Sequence, residues 1–115
     1  VTDRELLELA AKAAGFANHT WRIGYGLFIE TGASRGDSGY YWNPRTDSGD
    51  AFRLMVHLNL DVDHQWVDPS TRTELVRVQL EQLGVRIEQQ YGDNREQAVR
   101  LAITLAAAQI GKGMP

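Results

Sequence analysis

The sequence predicts an α+β fold, a mainly antiparallel sheet packed with helices in the order α-β-β-α-β-β-β-α. Three observations predict it. Apolar residues recur at helical spacing in three segments, and between those segments they alternate with polar residues as strands do. One pair of strands is charged on one face and apolar on the other, the one-sided pattern of an antiparallel sheet. Helices interrupt the strands without a βαβ rhythm, and no glycine-rich phosphate or dinucleotide turn is present. At 115 residues the chain has the size of one domain, spanning 1–115.

The first helix is predicted over 3–14. Thr2 is a good N-cap, Glu5 three residues later completes a capping box, and Gly15 supplies a left-handed stop. Leu6, Leu9, Ala10 and Ala13 share a face, and Glu8 and Lys12 stand at i,i+4. From Trp21 to Glu30 the pattern alternates, with Trp21, Ile23, Tyr25, Leu27 and Ile29 on one side; one long strand or a hairpin turning near Gly24 and Gly26 both satisfy it. A loop rich in Gly, Ser and Asp leads to a short aromatic strand, Tyr40-Tyr41-Trp42. Pro44 holds Asn43 extended and ends that strand. Asp47 is the expected cap, with Asp50 at the third position, of a helix over 48–58 whose apolar residues are Ala51, Leu54, Met55 and Leu58.

Leu60, Val62, His64 and Trp66 then point one way along a strand that Asp68-Pro69-Ser70 closes. Val76, Val78 and Leu80, followed by Val85 and Ile87, give the oily side of a hairpin turning at Leu83-Gly84, with Arg77, Gln79, Arg86 and Glu88 opposite. The last helix is expected to start on the Asp93-x-x-Glu96 capping pattern and to stop at Gly111-Lys112.

Composition narrows the function. Twelve basic against fifteen acidic side chains, net −3, argue against a nucleic-acid partner, whose affinity comes from an excess of cations. No cysteine means no disulfide, no thiolate metal site and no thiol nucleophile. No apolar run approaches membrane-spanning length and the start does not resemble a signal peptide, so the expected location is the cytoplasm, with no membrane partner. His57, Asp61, Asp63, His64 and Asp68 are the densest set of ligand types, but their spacing matches no metal loop, and a solvated acidic strand face explains them. Asp47 and Asp50 are accounted for as helix caps, and no serine sits in a nucleophile elbow. No catalytic residue, metal site or cofactor is assigned. The aromatics beside the 31–39 loop are the candidate partner-binding residues: Tyr40, Tyr41 and Trp42, with Arg35.

Three segments also carry a resemblance: the start from Thr2 to Gly15, the string Trp42-Asn43-Pro44-Arg45-Thr46-Asp47-Ser48-Gly49-Asp50-Ala51, and the alanine-rich close near Ile110-Gly111-Lys112. Together they resemble small proteins of tailed bacteriophages and prophages, the phage ABA sandwich domain family. The resemblance implies a three-layer α/β/α sandwich as the alternative architecture and supplies no catalytic residues. The expected function is that of a non-enzymatic phage or prophage accessory protein that binds a host or phage protein. The alternatives are a small enzyme or metal-binding protein using the His57–Asp68 region and a nucleic-acid-binding regulator.

Overall fold

The computed structural model describes residues 2–31, 38–68 and 73–115. The fold is α+β, with three α-helices and two three-stranded antiparallel sheets among the described residues, in the order α-β-β-β-α-β-β-β-α. The elements are α1 (Asp3–Ala13), β1 (His19–Arg22), β2 (Gly26–Glu30), β3 (Gly39–Tyr41), α2 (Ser48–Leu58), β4 (Asp61–Asp68), β5 (Thr73–Leu80), β6 (Val85–Gln90) and α3 (Arg95–Lys112). The strands divide between β1-β2-β3 and β4-β5-β6, so among the described residues there is no single central sheet between two helical layers.

The extra strand arises because Trp21–Glu30 is a hairpin. Tyr25 N–H donates to the Arg22 carbonyl at 3.0 Å, and Gly24 takes φ 83° at the turn position that requires a positive φ. Trp21 pairs with Leu27, and His19 with Ile29. Ile23 and Tyr25, which alternation lists on one side with Trp21, Leu27 and Ile29, stand at the tip and are 90% and 76% exposed. The second hairpin turns as predicted near Leu83-Gly84, through a 3-10 turn at Glu81–Leu83 and Gly84 at φ 67°.

Helix α3 occupies the centre. It packs against α1 and α2 and against β5 and β6, while α1 also meets β2. This explains why α3 is apolar around most of its circumference: Ala98, Ala102, Ile103, Ala106, Ala107 and Ile110 are all buried. One buried cluster joins Leu7 and Ala10 of α1, Leu27 and Ile29 of β2, Leu54 of α2, Val76 and Val78 of β5 and Ile103 of α3. Small residues set the closest approach, since Gly111 lies against the backbone of Leu9 and Ala13. Thr104, fully buried, satisfies its hydroxyl by donating to the Arg100 carbonyl one turn back, at 2.8 Å.

The helix N-caps follow the sequence with one change. Thr2 and Asp47 cap α1 and α2 by accepting from Glu5 N–H and Asp50 N–H, at 3.2 and 2.9 Å. The cap of α3 is Asn94, which accepts from Gln97 N–H at 2.9 Å, one residue beyond the expected Asp93; its extended backbone aims the amide oxygen into the first turn. Glu8 pairs with Arg4 at 3.0 Å, while the Lys12 ammonium donates to the Met114 carbonyl at 2.9 Å.

The turn before α2 is a closed hydrogen-bond system. Asn43 Oδ1 accepts from Arg45 N–H at 3.0 Å, and the Asn43 carbonyl accepts from Asp47 N–H at 2.9 Å. Asn43 N–H donates to Asp50 Oδ2 at 3.0 Å, and Arg53 donates to Asp50 Oδ1 at 2.8 Å. Asp50 is thus more than a dipole-matching residue, because its carboxylate is buried and fastens the turn to the helix. Asp50→Ala should cost about 1–3 kcal/mol, because it strips the acceptor from Asn43 N–H, and Asp50→Asn should cost less because it keeps an oxygen there. Urea denaturation checks this; equal midpoints for wild type and Asp50→Ala would refute it.

Candidate functional site

The sequence-predicted residues fall on two sides of the first sheet. Tyr40 pairs with Ile29 and Tyr41 with Phe28, so adjacent tyrosines face opposite ways. Trp42 is buried, packed edge-on against Phe16 at 5.3 Å, and belongs to the core. Unlike its expected place on a binding surface, it faces inward: its N–H donates to the Leu27 carbonyl at 3.0 Å, extending the pairing and turning the indole toward the core with Ile29. Tyr40 stands edge-on to Phe16 at 6.5 Å and borders a cleft of about 360 Å³ with Trp42, Leu54 and His57. Arg35 lies outside the described residues.

Tyr41 opens onto the outer face, where the structure gathers residues not selected from sequence. The Arg22 guanidinium lies 3.7 Å from the centre of the Phe28 ring, and Tyr41 meets the same ring edge-on at 5.2 Å. Tyr25 stacks on Tyr41 at 6.1 Å, and Arg22 donates to the Tyr41 hydroxyl at 3.4 Å. Phe28 is thereby buried on the outer face, beneath a layer of cation and rings. Beyond it project Ile23, Tyr25 and Tyr41, and the last remains 45% exposed. The available signal was the three-residue hairpin loop: its odd length keeps Trp21 and Leu27 in phase, so the alternation runs through the turn and hides it.

A second concave site lies between α2 and α3, with His64 of β4 at its side. It is a groove of about 390 Å³ walled by Ala51, Phe52, Met55, Val99 and Ile103. Arg95 and Arg100 stand on its α3 side. Arg95 pairs with Glu74 at 3.0 Å and lies 4.5 Å over the Tyr91 ring, on which His64 also stacks at 5.7 Å. Arg100 is half-buried; its Nε donates to the Arg45 carbonyl at 2.8 Å and its Nη1 to Ser48 Oγ at 3.1 Å. Phe52 and Val56 continue the apolar surface outward along α2, 61% and 55% exposed.

The acidic region is placed differently. His57, Asp61 and Asp63 are exposed, as a solvated face requires, and His64 is exposed on the opposite side of the edge strand β4, where it borders the groove. Among the described residues no three His, Asp or Glu side chains come close enough together to hold a metal ion. No helix among them is long and apolar enough to cross a membrane.

Fold and surface together define a small α+β protein with an aromatic outer sheet face and an apolar interhelical groove. No family model, curated protein or solved structure matches the chain.

Proposed function

We propose that this chain is a phage or prophage accessory protein that acts without catalysis, by binding a host or phage protein in the bacterial cytoplasm. The observation that carries the binding reading is the outer face of the first sheet. Ile23, Tyr25 and Tyr41 are exposed side by side with Arg22 packed among the rings. Tyrosine and arginine concentrate binding energy at protein interfaces, because each offers a large, stiff contact area with a polar end. Here the rings are already stacked, so little side-chain freedom is left to lose on association. The phage assignment is supported by the Trp42–Ala51 string and the two helices that resemble the same phage family.

The test compares wild type with an Ile23→Asp/Tyr41→Ala double variant as bait in bacterial lysate, each checked for folding by circular dichroism. Wild type should retain a protein that the variant loses by tenfold or more, since truncating hot-spot residues costs about 2 kcal/mol or more. The same proteins retained by both baits, or none by either, would sink the proposal.

A further inference from the structure

We infer that the groove between α2 and α3 is a binding site for a small amphipathic monocarboxylate, its charged end on Arg100 and its apolar body along Ala51, Phe52, Met55, Val99 and Ile103. Arg100 carries the inference. It is half-buried, its two hydrogen bonds go to neutral oxygens, and among the described residues it pairs with no carboxylate. A guanidinium drawn partly out of water with only neutral acceptors retains an uncompensated charge, and a carboxylate would complete it with charge-assisted bonds. The two bonds to Arg45 and Ser48 hold the planar group before any ligand arrives, which lowers the entropy lost on binding.

The surroundings select the rest of the ligand. Ser48 opens α2 and Arg95 opens α3, so the positive ends of both helices lie on this groove. Arg95 is already matched by Glu74, and Glu96 borders the groove with its own negative charge. One unmatched cation beside one rim carboxylate suits a single negative charge and disfavours a dianion such as a phosphate monoester. The walls beyond are apolar, and the volume of about 390 Å³ falls in the range of small-ligand sites, roughly 300–1,000 Å³. The groove covers only two turns of each wall helix, about 10–12 Å, which is short for a macromolecular interface. This site is separate from the aromatic sheet face and does not depend on it.

The test is an amide-resolved NMR titration of the full chain with octanoate, with 1-octanol and octylammonium as controls. Octanoate should shift the amides of Ala51, Met55, Val99 and Ile103 and saturate in the millimolar range or below. Octanol should bind about tenfold more weakly or worse, the loss expected for one charged hydrogen-bonding partner. Arg100→Gln should erase the preference for the acid. Phe52→Asp, at an exposed position where the fold tolerates it, should weaken octanoate, and Glu96→Gln should tighten it; these two carry the test if Arg100→Gln does not fold. Equal binding of octanoate and octanol, unchanged octanoate affinity in folded Arg100→Gln or in both rim variants, or no shift at these amides would overturn the inference. Shifts there that follow protein concentration instead of octanoate would give the groove to a second copy of the chain and overturn it equally.

Discussion

Gly111→Ala is expected to destabilise the protein by about 3 kcal/mol or more, the upper range for overpacking a tight contact. A methyl group at this position would overlap the Leu9 carbonyl and stand 2.9 Å from its carbon and 3.4 Å from the Ala13 nitrogen. Those are backbone atoms of α1, so no side-chain rotation relieves the overlap; the helices must move apart. Intrinsic preference runs the other way, since alanine favours a helix over glycine by about 1 kcal/mol. The sign of the change therefore decides between the two effects. A urea midpoint equal to or above wild type would mean that α1 and α3 do not meet as closely as described.

Trp42→Ala should cost about 3–5 kcal/mol, as removal of a fully buried aromatic does. The indole is 3% exposed and packs in one cluster with Leu27, Ile29 and Leu54, so its loss opens a cavity where the first sheet meets the helices. Tyr41→Ala, one residue earlier and on the opposite face, should change stability by much less, because Tyr41 already faces water. Thermal or urea unfolding of the two variants measures the contrast. Similar losses for both would refute the assignment of Trp42 to the core and Tyr41 to the surface.

That contrast also shows what was legible in the sequence. Alternation placed Tyr41 opposite Tyr40 and Trp42, and the register confirms it. Alternation says only that two faces differ; which of them meets the core depends on α1 and Phe16, which are distant in sequence. Helix limits were the most readable feature, because caps such as Thr2 and Asp47 act within three residues. The separation into two sheets was not readable: strand spacing is the same whether β3 and β4 pair or part. The groove escaped notice for a related reason. Its apolar wall residues Ala51, Met55, Val99 and Ile103 each look like ordinary core positions, and Arg100 becomes distinctive only when its neighbours prove to be neutral oxygens.

The union of α1 with α3 has a consequence for how the chain is made. A ribosome adds 99 more residues after completing α1 at Ala13 before α3 is finished at Lys112, and α3 is the element on which α1 is chiefly packed. Until then Leu6, Leu7, Ala10 and Ala11 lack their main cover. The first sheet can form locally, but the helical centre cannot close early. Contacts so distant in sequence slow folding, because a long loop must be ordered before they are made. In the interval the nascent chain presents an amphipathic helix to its surroundings, and holdase chaperones or proteases have their opportunity there.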